Sequence, residues 1–231
     1  MIDIHSHLLP FVDDGSDSVE QSIELLRKAC NQGVTDMVLT PHFRDEFIED
    51  NKNLLEKFDE FKQVVAKKGL KINLYLGREI HVVNSYKRAL EEIRLDCLNG
   101  TKYILIEFDF DRESDIVNIV YEVARRGFIP VVAHLERYGY VGIETAYDIK
   151  QSGGLIQVNA QSLIKPEARE QKKLLKKMFA ENLVDFVASD IHTCRKYFMQ
   201  KAYRKVAKKH GKETAQSVFC KNALEIIQGQ S

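Results

Sequence analysis

The stretch TKYILIEFDFDRESDIVNIVYEVARRGFIPVVAHLERY, residues 101–138, carries one complete repeat of the fold. KYILIEF (102–108) is an almost unbroken apolar run, of strand length rather than helix length. Ile116, Ile119, Val120 and Val123 then recur at helical spacing, and Gly127 stops that helix. FIPVVAH (128–134) is a second apolar strand. A strand, a helix and a strand in this order form a crossover unit whose strands lie parallel and buried on both faces.

The alternation continues outward in both directions. Upstream, MIDIH leads into a helix from about Ser18 to Gln32, with Val19, Ile23, Leu26 and Cys30 on one face and Gly33 as its stop. TDMVLT (35–40) is the second strand, and Leu54, Phe58, Phe61 and Val65 mark a helix closed by Gly69. KINLYLG (71–77) is the third strand, followed by a helix around residues 84–95. Downstream, a short helix near residues 144–152 precedes GLIQVNA (154–160), and a charged helix starting at Pro166 precedes LVDFVASD (183–190). Two or three helices finish the chain. Seven strands alternating with helices predict an α/β fold in one domain, residues 1–231, built as a closed barrel or an open doubly wound sheet.

In either architecture ligands gather at the carboxyl ends of the strands. His5 and His7 follow strand one, with Asp13 and Asp14 just beyond, and strand two runs into His42. Strand three is followed by Glu79 and His81, and strand four carries Glu107, then Asp109 and Asp111. Strand five ends in His134, Glu136 and Arg137; strand six ends in Asn159 and Gln161; strand seven ends in Asp190 and His192. One such residue means little. Repetition on six strand ends predicts a metal site on one rim.

The ligand types narrow the chemistry. Imidazoles and carboxylates without a thiolate suit Mn, Fe or Zn in an open catalytic site, Cys194 being incidental. So many ligands exceed the needs of one ion, and a cluster of two or three favours in-line displacement at phosphorus. Other phosphate chemistries lack their motifs: there is no G-x-x-x-x-G-K-[ST], no G-x-G-x-x-G and no G-x-S-x-G. A cysteine phosphatase needs an arginine six positions after its nucleophile. Asp36, Tyr103, Gln200 and Ile226 stand there instead.

Composition removes further classes. Lys+Arg and Asp+Glu both number 34, which argues against nucleic-acid binding through bulk positive charge. Cys30, Cys97, Cys194 and Cys220 form no C-x-x-C pair and no apolar export segment precedes His5, so a reduced, cytoplasmic protein is expected. No apolar run is long enough to span a bilayer. The basic stretch KAYRKVAKKHGK (201–212) reads as the solvated face of a late helix, with a docking patch for an acidic partner as the alternative.

Taken in order, DIHSHLLPFVDDG, TPHF, GREI, LIEFDF, AHLERY, QVNAQSL and SDIH resemble the PHP (polymerase and histidinol phosphatase) superfamily, and within it the bacterial CpsB/CapC-like protein-tyrosine phosphatases. The likeness spans essentially the whole chain. It implies a distorted (β/α)7 barrel with three divalent ions, manganese first, with iron or zinc as alternatives. One ion would be held by His5, His7, Glu79 and Asp190, a second by Glu79, Glu107 and His134, and a third by Asp14, His42 and His192. Direct attack of a metal-bound hydroxide is implied, with Arg137 gripping the phosphate. A second arginine role would fall to Arg195, only three positions after His192, where the family runs further; Leu135 stands where the family has Pro. The implied substrate is phosphotyrosine on a protein, a bacterial tyrosine kinase governing capsule or exopolysaccharide synthesis. Histidinol phosphate or another small phosphate is the alternative, and a non-catalytic metal-binding partner module is the reading from another class.

Overall fold

The computed structural model describes residues 1–47, 49–50, 52–82, 97–193 and 195–229. The helix expected around residues 84–95 lies outside them. Among the described residues nine short strands appear: β1 (Ile2–Asp3), β2 (Asp36–Leu39), β3 (His42–Phe43), β4 (Asn73–Leu76), β5 (Glu79–His81), β6 (Tyr103–Glu107), β7 (Ile129–Val132), β8 (Leu155–Asn159) and β9 (Phe186–Ala188). All pairings are parallel, in the orders β1-β2-β4 and β3-β5-β6-β7-β8-β9.

Seven expected strands become nine because the second and third, which end as expected near Thr40 and Gly77, are each followed past a break by a further short strand. Pro41, which has no N–H to give to a ladder, separates β2 from β3. Gly77 separates β4 from β5, where a Cβ would lie 2.7 Å from Leu98 Cδ2 and 3.0 Å from Leu98 Cα. Pairing still crosses both breaks, through Gly77 N to Leu39 O at 2.9 Å and Glu79 N to Pro41 O at 3.2 Å. At the other seam Ser6 bridges Ile191 in parallel, and Asp190 N donates to His5 O at 2.9 Å. First and last strands therefore meet, and the curled sheet forms a distorted (β/α)7 barrel.

Strand periodicity then sorts the side chains. Tyr103 and Leu105 of β6 pack with Val131, Phe186 and Ala188 in one buried cluster, while Ile104 and Ile106 face the helices in a second. Glu107 continues the inward set of β6, so it enters the barrel's mouth.

The helices cover the outside. Val19–Asn31 is capped by Ser18, whose side chain accepts from Gln21 N, and Leu54–Lys67 buries Phe58, Phe61 and Val65. Ile116–Arg125 and Ile143–Gln151 follow as expected. The helix expected to start at Pro166 begins instead at Arg169. Ala168 is extended (φ −134°, ψ 159°) and Glu167 N donates to Gln171 Oε1 at 2.7 Å, which holds the preceding residues in a turn. A separate short helix, Ala160–Ile164, precedes it, and Met199–His210, Lys212–Phe219 and Leu224–Gln228 end the chain.

Candidate metal centre

Glu79 stands at the middle of the mouth, fully buried. Its Oε1 lies 3.1 Å from His5 Nε2 and 3.0 Å from His134 Nε2; its Oε2 lies 2.8 Å from His42 Nδ1 and 3.4 Å from His7 Nε2. Glu107 Oε1 is 3.6 Å from His134 Nε2, and its Oε2 is 3.7 Å from His42 Nδ1. Asp190 Oδ1 is 3.7 Å from His5, 3.6 Å from His7 and 3.5 Å from His192. Asp14 Oδ1 is 3.5 Å from both His42 Nε2 and His192 Nε2. All nine side chains expected as ligands are thus brought together, in groups His7-Asp14-His42-His192, His5-His7-Asp190, His5-Glu79-His134 and His42-Glu79-Glu107.

Hydrogen bonds to the far side of the rings show what this mouth is built to hold. His5 Nδ1 faces Gln157 Oε1 at 3.1 Å, and that oxygen also receives His134 N at 2.8 Å. Gln157 Nε2 donates to Asn159 Oδ1 at 2.9 Å, and Asn159 Nδ2 donates to Asp190 Oδ2 at 2.8 Å, so the network fixes the amide orientations. His7 Nδ1 faces Asp13 Oδ2 at 2.7 Å. In both rings Nδ1 therefore serves an outer acceptor and Nε2 is turned into the centre, the two Nε2 atoms 3.1 Å apart among carboxylate oxygens. Nitrogens and carboxylate oxygens converging in this way need positive charge between them, carried by ring protons or by a cation that replaces them. The donor set fits divalent cations held by imidazole and carboxylate, with outer partners that fix each tautomer.

The charges respond accordingly. Burial pushes the Glu79 carboxyl up, but His5, His42 and the His134 hydrogen bond outweigh it and hold the group well below the carboxylate range. Asp190 is likewise pushed up by burial and pulled below its usual value by His5, His134 and Arg195. Burial lowers the His5 and His7 imidazoles, yet Glu79 beside His5 and Asp13 beside His7 leave both above 6.5. Each such ring keeps its proton until a stronger cation displaces it.

Backbone geometry aims the groups. His134 (φ 33°) and Asp190 (φ 49°) are left-handed residues at strand ends, where sharp turns swing their side chains into the mouth. In the loop after β1, Gly15 is obligatory: a Cβ there would come within 2.1 Å of His7 O. Asp13 within that loop also accepts from Gly15 N at 3.0 Å and from His42 N at 3.0 Å.

Arg137 Nη1 reaches Asp190 Oδ2 at 3.3 Å, and Arg195 Nη1 reaches the same oxygen at 2.6 Å. Short as its loop is, Arg195 arrives at the centre. Phe110 packs beside them, its ring 4.4 Å from the Arg137 guanidinium and 5.5 Å from the His134 ring. The near-rim residues His81 and Asp109 pair with each other at 3.2 Å and Asp111 is exposed, all three outside the ligand groups. Sequence reasoning assigned no role to Gln157, Arg44 or Phe110, and it placed Asp13 at the rim without making it a ligand. Arg44 pairs with Glu107. Asp13 and Gln157 carried a signal, an acid two residues before the loop glycine and an amide within an otherwise apolar strand.

A curled parallel barrel with imidazoles and carboxylates converging on its carboxyl rim defines a PHP-type α/β barrel. The chain belongs to the CpsB/CapC family: the model described as "Capsular polysaccharide synthesis, CpsB/CapC" matches residues 1–228. It is 33% identical to the tyrosine-protein phosphatase CpsB of Streptococcus agalactiae, covering 98% of each chain. It is 31% identical to the tyrosine-protein phosphatase YwqE of Bacillus subtilis, covering 100% of this chain and 93% of that one. A solved structure from the work on YwqE of Bacillus subtilis and CpsB of Streptococcus pneumoniae, there called metal-dependent tyrosine phosphatases, superposes with a TM-score of 0.90. Its identity is 30%, over 100% of this chain and 96% of that chain.

Proposed function

We propose that this chain is a metal-dependent protein-tyrosine phosphatase acting in bacterial capsule or exopolysaccharide synthesis, with a tyrosine kinase of that system as its phosphoprotein. The observation that carries the reading is the convergence of nine buried or rim-lying ligands, Glu79 central among them, on one mouth, with two arginines beside them. His5, His7, Glu79 and Asp190 would hold one divalent ion, Glu79, Glu107 and His134 a second, and Asp14, His42 and His192 a third, manganese being the first candidate. Bound there, such ions supply Lewis acidity and activate water at neutral pH.

The chain's own groups do the rest. The Asp14 side chain, 60% exposed, marks the solvent-facing edge through which a phosphoryl group reaches the buried ligands. Arg137 and Arg195, anchored on Asp190, present guanidinium hydrogens to the oxygens that gain charge in the transition state. Phe110, partly exposed beside Arg137, offers an aryl wall. A tyrosine leaving group has a pKa of about 10 and departs with little help from an acid. The cytoplasm is the compartment this reading proposes; no helix among the described residues is long and apolar enough to cross a membrane.

The test is hydrolysis of a phosphotyrosine peptide, a phosphoserine peptide and histidinol phosphate by purified protein, with metal analysis. Phosphotyrosine should be preferred, chelation should abolish turnover, and Mn²⁺ should restore it. Preference for histidinol phosphate would transfer the assignment to a small-molecule phosphatase, and inactivity with full metal content would leave a partner module.

A further inference from the structure

The helices Arg169–Ala180 and Met199–His210 concentrate positive charge in a chain that is neutral overall. Their sequences, REQKKLLKKMFA and MQKAYRKVAKKH, hold ten Lys and Arg against the single acid Glu170. Between them lies a cavity of about 390 Å³ with an apolar floor that includes Leu163, Leu175, Phe179 and Val206. Lys172, Lys176, Lys205 and Lys209 stand around it, and no carboxylate lines it. Lys205 is tied to Leu163 O, while Lys172, Lys176 and Lys209 are exposed. Burial, together with the ammonium groups of Lys209 and Lys172, depresses the Lys205 pKa, so the like charges crowd one another.

We propose that this groove docks an acidic segment of the phosphoprotein substrate, a bulky apolar side chain seated on the floor and flanking carboxylates paired with Lys172, Lys176 and Lys209. The inference rests on the phosphotyrosyl-protein reading and adds how that protein is held. Shape and charge select the occupant. The apolar floor is recessed below the lysines, so an inserted side chain reaches it and a flat bilayer does not. Stacking of nucleic-acid bases needs open aromatic faces, whereas the Phe179 ring is covered by His210 at 5.0 Å. The groove also adjoins the catalytic rim: its wall helix Ala160–Ile164 starts directly after Asn159, which holds Asp190.

Two substrates separate docking from chemistry: p-nitrophenyl phosphate, which is too small to span the groove and the centre, and a tyrosine-phosphorylated Glu/Tyr copolymer. In the triple variant Lys172→Glu, Lys176→Glu, Lys209→Glu, KM for the copolymer should rise about tenfold or more, with kcat unchanged. Kinetics on p-nitrophenyl phosphate should stay at wild-type values, which also reports an intact fold. The triple Lys→Arg variant should keep the low KM, and added salt should raise the wild-type KM for the copolymer alone. An unchanged copolymer KM after charge reversal overturns the proposal. Loss of sedimentation with phosphatidylglycerol vesicles in that same variant, alongside an unchanged copolymer KM, overturns it in favour of a membrane surface. If p-nitrophenyl phosphate is not hydrolysed at all, the phosphatase reading fails, and fluorescence anisotropy with unphosphorylated copolymer still decides docking: wild-type binding lost in the Glu variant supports it, and no wild-type binding removes it.

Discussion

Asp13 receives the Nδ1 hydrogen of His7 at 2.7 Å, and so decides which nitrogen of that ring faces the centre. An outer carboxylate of this kind fixes the tautomer and raises the basicity of the inner nitrogen. Asp13→Asn should therefore lower metal affinity about 10–100-fold while leaving the ligands in place. Competition against a metal-sensitive dye, with circular dichroism to follow the fold, measures it. Wild-type affinity in the variant would remove Asp13 from the centre.

Glu79 and Asp14 are expected to differ in proportion to their reach. Glu79 touches four imidazoles with its two oxygens, and Asp14 touches two from an exposed edge. Glu79→Ala should lose more bound metal and more activity than Asp14→Ala. Metal content by mass spectrometry orders the two, and equal content would refute the bridging position of Glu79.

The arginines should respond in steady-state kinetics on a phosphotyrosine peptide. Arg137→Ala should keep its metal and lose about 10²–10³-fold in rate, the usual cost of one preorganised donor. Arg137→Lys should recover only part, since an ammonium cannot reproduce the planar fork. Arg195→Ala should also slow turnover; a wild-type rate there would assign the clamp to Arg137 alone.

Phe110→Leu should weaken both the arginine clamp and the proposed aryl wall. Removing the ring deprives the Arg137 guanidinium of its face. The rise in KM should be larger for the phosphotyrosine peptide than for a phosphoserine peptide. Equal effects on both would restrict Phe110 to packing.

Cation affinity should climb with pH. His5 and His7 hold protons above 6.5 because, against burial, Glu79 and Asp13 favour their charged forms. Those protons stabilise the metal-free fold fully below the unfolded value near 6.5, and the benefit is lost as pH rises through the higher folded values. A divalent ion must expel them, so it binds more tightly once they have left. Calorimetry in buffers of different ionisation enthalpy should show proton release on binding that shrinks as the pH rises above neutrality. Binding without proton release near neutrality would contradict the protonated rings.

Much of this was legible in the sequence because strand and helix periodicities alternate without ambiguity. KYILIEF and FIPVVAH became β6 and β7, and every expected ligand reached the mouth. Local chemistry hid the remainder. Pro41 and Gly77 read as strand ends, and the short strands β3 and β5 beyond them become visible only through their pairing with each other and with β6. Pro166 suits a helix start by type, yet Gln171 captures Glu167 N and delays the helix to Arg169. The positive φ of His134 cannot be read from alternation, and neither can the shared grip of Arg137 and Arg195 on Asp190.

The Ser6–Ile191 bridge joins the two ends of the sheet, and with it His5 and His7 meet Asp190 and His192. Contacts between such distant positions carry the largest loop-closure cost. An ion held by ligands from both ends of the sheet binds the closed barrel and not the opened one, so metal supply should lengthen survival under proteolysis as well as raise turnover.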